Sequence, residues 1–423
     1  MEGLTLANRR AFMKWMGALP LLGYISTQGL FEKALGSVKR NRSSNIYTRI
    51  GVKPVINARG PWTYISGTLE LPEVKAAKQQ AAEYFVNIWE LHRAVGQRLA
   101  ELSGAEAGLV TSGAAGAMAV ATAACIAGTD PVKIWQLPDS ASMKNEVVML
   151  GGRSLFDSAI RGAGGKLVLA NTYDELQAAI TEKTVMVYTM AHGERLEKAL
   201  SITKKAGVPM LVDWADRLPP MENFSLPAKM GVELYTFSGG KGLCGPQCTG
   251  LLLGRKDLIE AALANSSPWE GAVCRPMKVG KEEIMGLLAA VEAWKKMDLE
   301  GLDREWGKRI NRIAQLVETV PGVTTDTETA YAGPSLIVKW DEAAFKLTVA
   351  ECAKQLLDGE PRIEVATRYN PSAVPGAQEG DPKRPHDKKP DHIQIVSTTL
   401  QPGEELLVAR RLRAVLNAAR KAA

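Results

Sequence analysis

The stretch Phe237-Ser238-Gly239-Gly240-Lys241-Gly242-Leu243-Cys244-Gly245-Pro246-Gln247 sets one lysine in a glycine-rich turn, directly after the predicted strand 234–237. A lysine that forms a Schiff base must reach a carbonyl group and lose its proton, and desolvation or a nearby positive charge favours that loss. The glycines remove side-chain bulk around the amine. The stretch therefore indicates a reactive Lys241, with an ordinary exposed turn lysine as the alternative.

Two further groups precede this lysine. The segment Thr111-Ser112-Gly113-Ala114-Ala115-Gly116 follows the predicted strand 107–110 and opens a predicted helix over 113–127. Small residues at a helix N-terminus let free N–H groups and the helix dipole approach an anion, although tight packing is the alternative. Asp213 ends the apolar run 208–212. Strand ends in open α/β sheets are where ligands bind, although a lone aspartate there is often only a cap.

The order of these groups is an anion-binding turn, then a carboxylate, then a lysine. Pyridoxal phosphate requires all three. Its phosphate suits a helix N-terminus, its pyridine nitrogen stays protonated beside an anion, and its aldehyde bonds to a lysine. The sequence therefore predicts pyridoxal 5'-phosphate as the cofactor.

With these motifs the chain resembles the fold-type I pyridoxal-phosphate enzymes, in the branch that holds selenocysteine synthase and the sugar-acid ammonia lyases of the D-glucosaminate-6-phosphate type. The resemblance runs from about residue 46 to the C-terminus, and the stretch 238–247 is its most specific part. The other matching strings are Pro54-Val55-Ile56-Asn57-Ala58, Gly104-Ala105-Glu106, Leu211-Val212-Asp213 and Gly254-Arg255-Lys256-Asp257-Leu258-Ile259.

The resemblance implies a role for each cofactor-binding residue. Lys241 would be the catalytic residue that forms the Schiff base with the cofactor. Asp213 would pair with the pyridine nitrogen. Gly113 and Ala114 would donate backbone N–H groups to the phosphate, and Ser238 would add its hydroxyl.

Two arginines are candidates for substrate binding. Arg59 follows the Asn57-Ala58 string and could contact substrate, and Arg368 could hold a substrate carboxylate through its bidentate guanidinium. A structural ion pair is the alternative for each. The resemblance also implies a homodimer or larger homo-oligomer, in which the basic loop Arg275-Pro276-Met277-Lys278 approaches the neighbouring subunit's phosphate.

Strand and helix signals alternate through the middle of the chain, which predicts an α/β fold of the fold-type I transferase kind. A mostly parallel large-domain sheet would be covered by helices, with a smaller α+β domain at the C-terminus. The predicted divisions are a signal peptide at 1–36, a linker at 37–45, a large cofactor-binding domain at 46–280, a connecting long helix at 281–317 and a small domain at 318–423.

The N-terminus carries Arg9-Arg10-Ala11-Phe12-Met13-Lys14 before a short apolar run over 15–26. This run is too short for a bilayer span, which needs about 20 residues. The string resembles a twin-arginine export signal, so we expect recognition by that export machinery and a periplasmic or exported protein. An amphipathic helix on a cytoplasmic protein is the alternative.

Composition and charge argue against two further kinds of function, nucleic-acid binding and metal binding. The 423 residues carry a formal charge of only +6, which indicates no nucleic-acid partner. Five cysteines and four scattered histidines indicate no metal site, and Cys244 and Cys248 are expected to be free thiols. His92 is expected to pack or cap on a helix predicted within 73–103.

The lyase branch implies α,β-elimination on a small amino acid or amino-sugar acid, in which the Lys241 amine removes the Cα proton. A racemase or an aminotransferase shares the first steps and stays open as an alternative. A non-catalytic binding protein that retains the fold is a third hypothesis. Loss of the lysine or aspartate would mark it, and both residues are present.

Overall fold

The computed structural model describes residues 45–331, 333–367 and 391–422. The predicted signal peptide and Arg368 lie outside these residues. The strands are β1 (Ile56–Ala58), β2 (Ala107–Thr111), β3 (Glu146–Leu150), β4 (Lys166–Ala170), β5 (Thr184–Thr189), β6 (Met210–Asp213), β7 (Leu234–Ser238), β8 (Gly250–Gly254), β9 (Val323–Ala330), β10 (Gly333–Trp340), β11 (Ile363–Val365) and β12 (Ile393–Val396).

Helices connect these strands in most places. They are α1 (Pro72–Ala82), α2 (Ile88–Ser103), α3 (Gly113–Ala127), α4 (Pro131–Gln136), α5 (Ser158–Gly162), α6 (Tyr173–Ala179), α7 (Glu194–Ala206), α8 (Leu226–Met230), α9 (Lys256–Ala264), α10 (Lys281–Trp294), α11 (Leu299–Val317), α12 (Glu342–Phe345), α13 (Val349–Asp358) and α14 (Glu404–Ala422). Short 3₁₀ turns lie at Thr48–Ile50, Thr63–Ile65 and Met221–Phe224. No helix of the described residues is both long enough and apolar enough to cross a bilayer.

Seven of the described strands form one sheet in the order β2-β8-β7-β6-β5-β3-β4. Only β8 runs against its neighbours, and the remaining pairs are parallel. All six residues of β5 are buried, as expected for a strand covered by other elements on both faces. The predicted α/β class with a mostly parallel, helix-covered sheet is therefore confirmed.

The sheet brings the predicted cofactor residues to one edge. Strands β2, β6 and β7 run in the same direction, so Thr111, Asp213 and Ser238 all lie at their carboxyl ends. Gly250 pairs with Thr111 on one side and with Ser238 on the other. One row of backbone therefore joins the anion-binding turn to the strand that leads into the lysine turn.

A second core lies under the C-terminal elements. Strands β9, β10 and β12 form an antiparallel sheet, and β1 pairs in parallel with β11. Ile56 and Ala58 are fully buried in this core with residues of α11, α13 and α14. Strand β1 therefore belongs to the second core, although the sequence prediction placed it in the large domain. The other predicted domain limits stay predictions.

Two predicted helical stretches are each divided in the structure. The helix predicted over 281–317 is divided into α10 and α11, because Asp298 caps α11 by accepting a hydrogen bond from the Gly301 N–H. The helical stretch near 73–103 is likewise divided into α1 and α2, with Asn87 as the cap of α2. The prediction of an uninterrupted helix over 281–317 was wrong, and the helical spacing over 73–103 belongs to two helices. A capping side chain begins the second helix in each case.

Candidate active site

Asp213 is buried at the end of β6, with 3% of its surface exposed. Its Oδ2 accepts a hydrogen bond of 2.8 Å from the Tyr188 hydroxyl on β5, and its Oδ1 accepts one of 3.1 Å from the Ala215 N–H. These two donors hold the carboxylate in one orientation at the carboxyl edge of the sheet. A buried carboxylate with fixed orientation is suited to a cationic partner.

The protonation of Asp213 reflects opposing influences. Burial raises the pKa of this carboxyl above its ordinary value, while the bonds from Tyr188 and Ala215 and the positive charge of Lys241 act to lower it. Asp213 pairs with Thr236 on β7, and β7 ends at Ser238, three residues before Lys241. The structure therefore places Asp213 beside the strand that leads into the lysine turn.

The glycines around Lys241 serve close backbone packing. A Cβ on Gly240 would overlap the Gln247 backbone, and one on Gly242 would overlap the Leu218 carbonyl. The sequence interpretation gave these glycines the task of clearing space around the amine. The structure shows that they let neighbouring chain segments press against the lysine turn.

Two elements fix this turn from outside. The Thr68 hydroxyl donates hydrogen bonds of 3.1 Å to the Gly240 carbonyl and 2.8 Å to the Lys241 carbonyl. The indole N–H of Trp294, at the end of α10, donates a bond of 2.7 Å to the Leu243 carbonyl. The backbone that carries the lysine is thus held by side chains that are distant in sequence.

The turn that was predicted to bind an anion leads into a 15-residue helix, α3, as expected, and its binding of an anion stays a prediction. Gly113 has a φ of +70°, a backbone conformation that favours glycine. Within the described residues, the Ser112 side chain makes no capping bond to this helix. Gly113 and Ala114 therefore begin a helix whose first N–H groups lack a side-chain cap, which is the state that an anion would satisfy.

Ser238 and Gly250 connect this helix start to the rest of the site. Ser238 is half-buried at the end of β7, and its N–H donates a 3.2 Å bond to the Ala215 carbonyl, two residues after Asp213. A Cβ on Gly250 would overlap the Gly113 carbonyl group and lie 2.6 Å from the Ala114 nitrogen. The helix start therefore lies directly against β8.

The residues at this edge fit pyridoxal phosphate. An uncapped helix start suits the phosphate, a buried carboxylate suits the ring nitrogen, and a lysine suits the aldehyde. The fit rests on the chemistry of these groups, since the phosphate, the ring nitrogen and the aldehyde each have a complementary group at this edge. Asp213, Lys241, Gly113, Ala114 and Ser238 would hold the cofactor.

Arg59 is placed differently from the cofactor residues. It is buried, donates a 3.2 Å bond to the Val365 carbonyl and lies 3.9 Å from a carboxylate oxygen of Glu364. Its guanidinium also lies over the rings of Trp62 and Tyr64, at 5.1 and 5.6 Å from their centroids. The contacts with Val365 and Glu364 connect the end of β1 to β11, and the predicted contact of Arg59 with substrate stays a prediction.

Sequence reasoning did not place two further residues, Tyr188 and His92, near the site. Tyr188 contacts Asp213 from a neighbouring strand, and only the register of β5 against β6 brings them together. His92, on α2, was expected to pack or cap. It lines a small pocket with Ser112 and Gly116, and its buried Nδ1 has no hydrogen-bond partner among the described residues.

The cysteines and other potential ligands form no metal site in the described ranges. Cys244 and Cys248 are free thiols, as are the other three cysteines. No group of three or more histidine, cysteine, aspartate or glutamate residues in the described parts of the chain is arranged to hold a metal ion.

Comparison with known proteins agrees with this geometry. The aminotransferase class-V family matches residues 169–330. A D-glucosaminate-6-phosphate ammonia lyase from Salmonella typhimurium is 31% identical over 339 residues, which cover 75% of this chain and 88% of the relative. The chain belongs to the fold-type I pyridoxal-phosphate enzymes. The predicted resemblance, the pyridoxal 5'-phosphate cofactor and the class of pyridoxal-phosphate-dependent lyase are thereby confirmed.

Other relatives are also similar to this chain in sequence or in structure. A 5'-C-glycyluridine monooxygenase-decarboxylase from a Streptomyces species is also 31% identical, over 75% of this chain and 83% of its own length. An L-seryl-tRNA(Sec) selenium transferase from Moorella thermoacetica is 25% identical over 59% of this chain and 57% of its own. The solved structure of a D-glucosaminate-6-phosphate ammonia-lyase superposes with a TM-score of 0.74 at 27% identity, covering 89% of this chain and 99% of that one.

Proposed function

We propose that this enzyme converts a 2-amino-3-hydroxy acid, most simply an amino-sugar acid, to a 2-keto-3-deoxy acid and ammonium by α,β-elimination. The observation that carries the proposal is that one sheet edge holds the buried Asp213, the strand end that leads into the Lys241 turn, and the uncapped start of α3. The 31% identity to an ammonia lyase supports this reaction over racemisation or transamination.

Each residue of the site would have a separate role in this reaction. When bound, pyridoxal phosphate supplies an aldehyde for the substrate amine and an aromatic ring that accepts the electron pair of the Cα–H bond. Asp213 would keep the ring nitrogen protonated. Gly113, Ala114 and Ser238 would orient the cofactor through its phosphate. The Lys241 amine would accept the Cα proton and can return a proton to the departing β-hydroxyl.

Product analysis tests this proposal. The purified protein would be screened by absorbance against amino acids and amino-sugar acids, and products identified for each compound that changes the spectrum. A keto acid with one equivalent of ammonium supports elimination. An inverted amino acid, or the pyridoxamine form of the cofactor, would contradict it. Oxygen consumption with loss of carbon dioxide would instead favour the chemistry named for the Streptomyces relative.

Replacing the lysine gives a direct prediction. Lys241→Ala is expected to abolish the near-visible absorption band of the protein–cofactor adduct and to lower turnover by at least ~10²–10⁴-fold, because covalent attachment and proton transfer are both lost. The exposed Lys205→Ala on α7 serves as the matched control and is expected to behave as the wild type. A normal band in Lys241→Ala would assign the cofactor to another amine.

We also propose a homodimer or larger homo-oligomer. Apolar side chains between α1 and α2 support it, since Tyr84, Phe85 and Val86 are 63%, 104% and 48% exposed. Light scattering coupled to gel filtration would measure the mass in solution. A monomer that turns over substrate would contradict the proposal.

Export through the twin-arginine machinery, and hence a periplasmic or exported location, is a separate proposal. It is supported by the Arg9-Arg10 string and the apolar run that follows. Cell fractionation of the native chain, beside an Arg9→Lys plus Arg10→Lys variant, tests it. A cytoplasmic, untrimmed chain in both cases would favour the cytoplasmic alternative.

A further inference from the structure

We propose that Tyr188 is a positioning residue which, through Asp213, keeps the proton on the ring nitrogen of the cofactor. This inference rests on the proposed function of the site, because it requires Asp213 to face that nitrogen. Tyr188 itself would touch neither cofactor nor substrate. Its effect would pass through one hydrogen bond.

The geometry of this bond is well defined. The Tyr188 hydroxyl lies 2.8 Å from Oδ2 of Asp213, and the two residues are 2% and 3% exposed. The Ala215 N–H donates a hydrogen bond of 3.1 Å to Oδ1 of Asp213. A carboxylate offers about four lone-pair directions. Two donors therefore leave about two directions open, and a protonated ring nitrogen could donate along one of them.

The Tyr188 hydroxyl is important because the Asp213 carboxylate is buried away from water. Burial alone raises the pKa of Asp213, and a carboxylate of high proton affinity would take the proton from the ring nitrogen. A donor on Oδ2 stabilises the charged form and opposes that transfer. Lys241 acts in the same direction as Tyr188, and the charge of Asp216 acts against it.

Tyr188 remains a donor over the working pH range. Burial and the negative charge of Asp213 raise the pKa of this phenol above its ordinary value, and Asp157 adds to the effect. Ser154 hydrogen-bonds the same hydroxyl and acts in the opposite direction. The phenol therefore stays protonated and can only donate toward Asp213.

The test is ¹⁵N NMR of protein reconstituted with pyridoxal phosphate labelled at the ring nitrogen. The wild type is expected to show a protonated ring nitrogen. In Tyr188→Phe the resonance should move toward the unprotonated value, and kcat should fall by about 10- to 100-fold, the equivalent of one hydrogen bond to a charged group. KM should change little.

Tyr235→Phe is the matched control. Tyr235 is fully buried on β7 and pairs with Val212, so it lies on the opposite face of the sheet from Asp213. This variant removes the same oxygen from an equally buried ring. It is expected to leave the ring-nitrogen resonance unchanged.

A second measurement separates positioning from a general loss of structure. The affinities of wild type and Tyr188→Phe would be compared for pyridoxal phosphate and for an analogue with carbon in place of the ring nitrogen. A loss confined to pyridoxal phosphate supports the proposal. An equal loss for both compounds, or an unchanged ¹⁵N resonance, would overturn it. Failure of the wild type to bind either compound would instead contradict the proposed function.

Discussion

At the scale of single residues, the site depends on backbones that approach more closely than side chains allow. Gly67, Gly240 and Gly250 each lie where a Cβ would overlap a neighbouring backbone. These contacts join the N-terminal segment, the lysine turn and the start of α3. Their common effect is to bring a helix N-terminus and a lysine to one edge of the sheet.

Gly250→Ala is predicted to disturb this arrangement. The added methyl would overlap the Gly113 carbonyl group, so the start of α3 must move. We expect a loss of about 1–3 kcal/mol in the free energy of unfolding, together with weaker cofactor binding. Urea denaturation and titration with pyridoxal phosphate would measure both effects.

Gly307→Ala, within α11, is the control for that experiment. A Cβ at Gly307 meets nothing within 4 Å, so alanine should be neutral or stabilise the helix by up to about 1 kcal/mol. Equal destabilisation by the two substitutions would show that the close approach at Gly250 is not the cause.

At the scale of elements, α10 supports the lysine turn through one buried side chain. Trp294 is 3% exposed, and its indole N–H satisfies the Leu243 carbonyl. Trp294→Phe would leave that carbonyl without its donor, which we expect to cost about 1–3 kcal/mol of stability. Because the turn carries Lys241, we also expect a smaller or shifted cofactor absorption band.

Trp340→Phe provides a matched comparison in the second core. The Trp340 indole N–H donates a 2.8 Å bond to the Leu347 carbonyl, and the ring is 8% exposed. We expect a similar loss of stability in urea denaturation, with an unchanged cofactor band. A changed band in both variants would mean that the effect passes through global stability.

At the scale of the whole molecule, the buried His92 couples stability to pH. Burial lowers the pKa of this histidine to about 4, whereas an unfolded histidine has a pKa of about 6.5. The unfolded chain therefore binds more protons between these values. The stabilising contribution is complete above pH 6.5 and is lost as the pH falls toward 4.

His92→Gln is predicted to reduce this acid sensitivity. Between pH 7 and pH 5 the wild type should lose about 2 kcal/mol more unfolding free energy than the variant, measured by urea denaturation at each pH. Ionisable groups common to both proteins cancel in the difference. Equal losses would mean that His92 becomes protonated without cost in the folded protein.

Periodic patterns allowed much of the sheet to be predicted from the sequence. The helix over 113–127 has the predicted limits, and the strands predicted over 107–110 and 234–237 each extend by one residue. Each of these elements is a self-contained apolar run. Strand β9 was not predicted. Its interior residues are largely exposed, so no buried face leaves an alternating pattern.

The sequence by itself determined the α/β class, the order of anion-binding turn, aspartate and lysine, and hence the cofactor. Each of these depends on local composition or on residues that chemistry requires in a fixed order. Tertiary structure alone decided that β1 joins the C-terminal core and that Tyr188 meets Asp213. It also decided that the turn glycines serve backbone contacts. Those features arise from strand register and packing between segments far apart in the chain, which leave no signal in the local sequence.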